Sequence, residues 1–120
     1  MGIDIATSAL LEFPGGGQSE FTCSIRAEPD QRVHIFGTSG RIEIEIPFNI
    51  PPDRETRIFL TAGGDPPAAP ATETRAFAPA DQYSIQASLF ARAVLEGTDY
   101  PVPAADAVAN LKVMEAILNR

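Results

Sequence analysis

The sequence predicts an α+β domain: an open, mainly antiparallel sheet of about six strands, followed by two C-terminal helices packed on one of its faces. Three observations lead there. Apolar and polar residues alternate in short runs as far as Phe77. From Asp81 onward the apolar residues recur instead at three- and four-residue spacing. The two patterns occupy separate halves and never alternate with one another, which excludes a chain of βαβ units.

The first strand sets Ile3, Ile5, Thr7, Ala9, Leu11 and Phe13 on one parity, with Asp4, Ser8 and Glu12 on the other. Pro14 and the glycines 15–17 end it in a turn. The second strand places Phe21, Cys23 and Ile25 against Glu20, Thr22, Ser24 and Arg26, and Glu28-Pro29-Asp30 turns the chain again. Val33 and Ile35 mark the third strand, opposed by Arg32, His34 and Phe36. Gly37 and Gly40 bracket Thr38-Ser39 as a tight hairpin, because glycine admits the positive φ that a reversal demands. The fourth strand alternates most cleanly, with Ile42, Ile44 and Ile46 inward and Arg41, Glu43 and Glu45 outward. A slip of one residue would bury two glutamates, so its register is firm.

Pro47 to Pro52 form a bend, and a fifth strand carries Ile58 and Leu60 opposite Arg57, Phe59 and Thr61. The Gly- and Pro-rich segment that follows cannot hold a ladder, and residues 62–72 read as a long mobile loop before a short sixth strand, Glu73 to Phe77. In the first helix Tyr83, Ala87, Phe90 and Val94 form one face, Asp81 caps the start and Gly97 the end. In the last, Ala107, Leu111, Met114 and Leu118 share a face, Asp106 suits the positive end of the macrodipole and Arg120 the negative end.

A chain of 120 residues makes one domain, large enough to bury roughly two-thirds of its unfolded surface. Sixteen acidic against nine basic side chains give a net charge of -7, and Lys112 is the only lysine, so a phosphate backbone is repelled and nucleic-acid binding is disfavoured. Cys23 has no partner thiol, which excludes an intrachain disulfide and suits a reducing cytoplasm. No run approaches the roughly 20 apolar residues of a membrane span, and no signal peptide opens the chain. The strand pattern starts almost at the first residue, as in a piece of a longer polypeptide.

With one face of the sheet turned to the helices, the other carries Arg26, Arg32, His34, Phe36, Arg41, Glu43, Glu45, Arg57 and Phe59. Charges of both signs invite cross-strand pairing, and two phenylalanines on an outward parity favour an interface anchored by aromatic and arginine side chains over a bare solvated face. The interface residues are therefore Arg32, His34, Phe36, Arg41, Glu43, Glu45, Arg57 and Phe59. No catalytic site emerges. His34 is the lone histidine, which rules out a multi-histidine metal site, and it reads as a surface sheet residue without marked triad partners. Glu43 and Glu45 lie on one side of a strand with Cα atoms roughly 7 Å apart. Two neighbouring exposed glutamates share one environment, whereas acid–base catalysis needs two, so pairing with arginines is the better account. The glycines 15–17 join two antiparallel strands and open no helix, so they are not a dinucleotide fingerprint.

The segments DIATSALLEFPGGGQSEFTCSI, RVHIFGTSGRIEI, YSIQASLFARAVLEG and PVPAADAVANLKVMEAI, in this order and spread along nearly the whole chain, resemble the C-terminal domain of the Gfo/Idh/MocA oxidoreductases. The resemblance implies a parent enzyme dependent on NAD or NADP and acting on a sugar, polyol or related small molecule. There, a Rossmann domain holds the cofactor, and the open sheet serves as a wall of the substrate cleft and as an oligomer contact. This chain has none of the family's glycine fingerprint, Glu-Lys-Pro segment or Asp-xxx-His helix. No catalytic, cofactor-binding or metal-binding residue carries over, and no cofactor is expected on the chain alone. The expected partners are the missing Rossmann domain and further copies of the chain, with no nucleic acid and no membrane. The alternative is a stand-alone binding or assembly module without enzymatic activity.

Overall fold

The computed structural model describes residues 3–64 and 71–119. Six strands and two helices follow one another as β1 (Ala6–Glu12), β2 (Gln18–Ser24), β3 (Val33–Gly37), β4 (Gly40–Ile44), β5 (Thr56–Ala62), β6 (Thr72–Phe77), α1 (Gln82–Glu96) and α2 (Ala104–Leu118). The α+β class and the element order are those read from the sequence. The strands, however, form two antiparallel sheets instead of one open sheet: β1 pairs with β2, and β3-β4-β5-β6 form a meander. Hairpins are specified locally by their turns, whereas the joining of two hairpins into one sheet has no local signal in the sequence.

Two compact units result, one built from residues 1–29 and 102–120, the other from Asp30–Pro101. In the first, β1 and β2 pair over seven positions from Ala6↔Ser24 to Glu12↔Gln18. Gly15 and Gly16 take φ of 100° and 86° in the connecting turn, and Phe13 N–H donates to the Gly17 carbonyl at 2.9 Å to close it. Thr7, Ala9 and Leu11 are the half-buried residues of β1, the parity read as apolar, while every residue of β2 is exposed. Asp106 stands in the first turn of α2 as expected; Arg120 lies outside the described residues.

In the second unit the tight hairpin forms as expected, with Gly37 opposite Gly40 and Thr38-Ser39 as a two-residue loop. Neither central residue takes a positive φ; the glycine requirement falls on Gly40, at φ +153°. A Cβ on Gly40 would collide with the Thr61 carbonyl oxygen, because the backbones of β4 and β5 close in there. The Pro47–Pro52 bend is held by Gln31, whose side-chain oxygen accepts from the amides of Phe48 (3.1 Å) and Asn49 (3.0 Å). Ala62 ends β5 and Thr72 begins β6; of the expected loop between them, residues 65–70 lie outside the described residues.

Both caps of α1 are those expected. The Asp81 carboxylate accepts from the amides of Tyr83 (3.0 Å) and Ser84 (3.3 Å), and Gly97 ends the helix in the left-handed region with φ of 65°. The Ser84 hydroxyl, which also donates to this carboxylate, and then these amides hold the Asp81 carboxyl below its ordinary pKa.

Burial departs from the expectation. Among the described residues no hydrophobic side chain is buried, and Thr61 is the one buried polar residue. The α1 face read as core is open, with Tyr83 68%, Phe90 60% and Val94 65% exposed. Helical periodicity identifies a face that needs cover and is silent on what supplies it.

Candidate functional site

The four-stranded sheet sorts its side chains into two faces by register alone. On one face Val33 lies opposite Ile44, Ile35 opposite Ile42, Ile42 opposite Leu60 and Ile44 opposite Ile58. The edge strand β6 ends this apolar face with Glu73 opposite Leu60 and Arg75 opposite Ile58. Those two form an ion pair at 2.7 Å that lowers the Glu73 pKa and raises that of Arg75 through their hydrogen bond. A charged pair on an edge strand discourages further strand addition.

The other face holds His34, Phe36, Arg41, Glu43, Arg57 and Phe59 of the residues expected at an interface, in rows across the strands. His34, Glu43, Phe59 and Thr74 make one row, and Phe36, Arg41, Thr61 and Thr72 the next. Glu45, Arg57 and Ala76 make a third row, since Arg57 lies opposite Ala76 and the Glu45 amide donates to the Arg57 carbonyl at 3.3 Å, extending the β4–β5 ladder past Ile44, and Arg32, just before β3, joins the face through Glu43. Arg26 is not part of this face, since β2 belongs to the two-stranded sheet.

Four of the charges on this face are committed to one another. Arg57 grips Glu45 with two bonds, Nε to Oε2 at 3.1 Å and Nη2 to Oε1 at 2.9 Å, the bidentate geometry that a planar guanidinium favours. Arg32 pairs with Glu43. The Arg57 guanidinium also lies 5.9 Å from the centre of the Phe59 ring, within cation–π range, and His34 stacks on Phe36 with ring centres 6.1 Å apart and planes 17° from parallel. Both glutamates read as possible acids therefore serve as arginine partners. His34 stands beside an aromatic ring and opposite Glu43. Among the described residues no group of three or more His, Cys, Asp or Glu is placed to hold a metal ion.

Sequence reasoning missed the threonines. Thr61 is 7% exposed and its hydroxyl lies 3.0 Å from that of Thr72, a cross-strand bond that ties β5 to β6. Their parity with Phe59 was the available signal. Cross-strand threonine pairs are a recurrent stabilising contact.

The class of protein this chain is similar to emerges from comparison with curated proteins, which are named as oxidoreductases and dehydrogenases. The chain is 43% identical over 116 residues, 97% of its length, to "Uncharacterized oxidoreductase ORF334" of Rhizobium meliloti. It is 27% identical over 116 residues to D-xylose 1-dehydrogenase (NADP(+)) 2 of Haloferax volcanii. A shorter stretch, 43 residues or 36% of the chain, is 44% identical to trans-1,2-dihydrobenzene-1,2-diol dehydrogenase of Sus scrofa. The chain spans 34% of the length of each of the first two relatives and 13% of the third. No family model matches the chain, and no solved structure matches it. No described helix is long and apolar enough to cross a membrane.

Proposed function

We propose that the chain is the C-terminal domain of an NAD(P)-dependent oxidoreductase of the Gfo/Idh/MocA family, acting on a sugar, polyol or related small molecule. One observation carries the reading: similarity along 97% of the chain to proteins named as oxidoreductases, of which it spans only 34%. The chemistry on the page agrees with a supporting role. Hydride transfer needs a bound nicotinamide set against the substrate, and Arg32, Glu43, Arg57 and Glu45 of the sheet face are engaged in pairs with each other. In this reading the residues of the chain form a wall of the substrate cleft, and cofactor and catalytic groups belong to the remainder of a longer polypeptide working in the cytoplasm.

The same reading makes the Arg/Glu/Phe face the contact between copies in a homo-oligomer. It is supported by the exposure of Phe36 (76%) among arginines, the residue types that anchor interfaces. Open apolar surface elsewhere on the chain supports its need of covering partners.

A turnover assay of the chain alone, with sugar and polyol substrates and both nicotinamide cofactors, tests the assignment of roles. No formation of NADH or NADPH is expected. Sustained reduction of either cofactor would show that the chain holds a complete active site and would end the scaffold reading.

A further inference from the structure

Away from the sheet faces, one backbone segment is held from two sides by side chains remote from it in sequence. The bend at 47–52 joins β4 to β5 and belongs to no ladder. Gln31, just before β3, accepts on its side-chain oxygen from the amides of Phe48 (3.1 Å) and Asn49 (3.0 Å). Gln82, the first residue of α1, donates from its side-chain amide to the Phe48 carbonyl at 3.3 Å. The Phe48 carbonyl and the Asn49 amide belong to one planar peptide group, so the two glutamines grip the same unit at opposite ends. Each presents the atom its partner requires, an oxygen to N–H groups and an NH2 group to a carbonyl. Burial marks the same residues. Gln31 and Gln82 are half-buried, whereas Tyr83, Phe90 and Val94 of α1 are exposed, as is the Phe48 side chain. Of the hydrogen bonds made by α1 side chains among the described residues, that of Gln82 is the one that reaches beyond the helix and its cap.

We propose that Gln31, the 48–49 peptide group and Gln82 form a relay that locks the 47–52 bend and moors the N-terminal end of α1 to the entry of β3. A hydrogen bond accepted by a carbonyl polarises its peptide group and makes the N–H across it a better donor, so each bond of the relay strengthens the other. Local structure prepares both ends. The Asp81 cap sets where α1 begins and thereby puts Gln82 at the position that reaches the bend. Pro47, Pro51 and Pro52 fix φ at their own positions, so little freedom in the bend is left for the glutamines to remove. The mooring is at one end of the helix, since its apolar face is open further along. A displacement of α1 is therefore passed through Gln82 to a single peptide group, and from there to the bend that carries the Phe48 ring.

Residue-resolved amide exchange by NMR tests the relay in the wild-type chain, Gln31→Ala, Gln31→Glu, Gln82→Ala and Gln86→Ala, a control glutamine of α1 outside the relay. The ladder amides of β4 and β5 report global opening in each, and rates are read relative to them. In the wild type the Phe48 and Asn49 amides are expected to exchange more slowly than free amides. Gln31→Ala should speed both about threefold to tenfold, the equivalent of one ordinary hydrogen bond. Gln31→Glu keeps an acceptor and should retain the protection. Gln82→Ala should speed Asn49 about twofold or more and Phe48 less, because Gln82 touches neither amide and acts on Asn49 through the shared peptide group. Gln86→Ala should match wild type. Wild-type amides as fast as free ones, or unchanged exchange in Gln31→Ala, would overturn the relay. Unchanged Asn49 exchange in Gln82→Ala would overturn the mooring of α1 through it. Equal acceleration by Gln82→Ala and Gln86→Ala would reduce the effect to a weakened helix and overturn the mooring as well. Should Gln31→Ala fail to fold, Gln31→Met, of similar length without the oxygen, decides: wild-type protection at both amides in that variant overturns the relay.

Discussion

The two faces of the four-stranded sheet share one backbone and differ in what completes them. The Val/Ile/Leu face is half-buried at Val33, Ile42, Ile44, Ile58 and Leu60 and exposed at Ile35, and its contribution grows with whatever apolar surface covers it. The Arg/Glu/Phe face already satisfies most of its charges by itself, through Arg32–Glu43 and the bidentate Arg57–Glu45 pair. One face stabilises the sheet through area, the other through geometry. Half-exposed ion pairs add little to stability, so the second face contributes less to folding than the first.

Substitutions can break that contrast at several levels. The largest effect belongs to neither face but to the backbone both depend on. Gly40→Ala sets a Cβ against the Thr61 carbonyl at φ +153°, and should destabilise the chain by about 2 kcal/mol or more in denaturant unfolding, or shift the β4–β5 register. Ile44→Ala, on the apolar face, should cost about 1–2 kcal/mol, since a half-buried side chain forfeits only part of the transfer energy of a core isoleucine. Thr61→Val keeps the shape and removes the bond to Thr72; a loss of about 1 kcal/mol is expected. Glu45→Gln should change stability by less than about 1 kcal/mol, as exposed ion pairs do. A cost for Glu45→Gln larger than that for Ile44→Ala would reverse the contrast between the faces.

A pH titration gives the smallest effect and lies off the sheet. The Asp81 carboxyl has its pKa lowered in the fold by the hydroxyl and amides it accepts from, so its stabilising contribution is full above the ordinary carboxylate range. That contribution is lost as pH falls through the lowered value. Wild type should therefore lose some α1 helicity on acidification below that range, and Asp81→Ala should lack this component of the pH dependence in far-UV circular dichroism.

Local physics explains which parts of the fold were legible in the sequence. The Asp81 and Gly97 caps, the Gly37–Gly40 hairpin and the register of Ile42, Ile44, Arg41 and Glu43 depend on residues close in the chain or directly opposite in a hairpin. His34, Phe36, Arg41, Glu43, Arg57 and Phe59 share one face because period-2 alternation and a short turn fix the face of each side chain. The separation of β1–β2 from the meander, and the open surface of α1 at Tyr83, Phe90 and Val94, depend on contacts between distant elements for which alternation carries no code. The sequence places Thr61 on the outward parity of its strand and carries no sign of its burial, because its importance comes from Thr72, a partner on a separate strand. The family resemblance came from the order of several degenerate segments, and the similarity to an oxidoreductase of Rhizobium meliloti runs through all of them.

The most direct test of the central claim is a chimera. In the Rhizobium meliloti oxidoreductase, the 116-residue stretch that is 43% identical to this chain is replaced by the chain itself, and binding of NAD and NADP to the purified protein is measured by fluorescence, with the oligomeric state alongside. The expected result is a folded chimera that matches the unmodified oxidoreductase in binding of NAD and NADP, measured side by side. A Phe36→Glu/Phe59→Glu chimera is expected to keep cofactor binding and lose assembly. A chimera that fails to fold or to bind cofactor, while the chain on its own is folded and stable, would contradict the reading of this chain as a domain of such an enzyme.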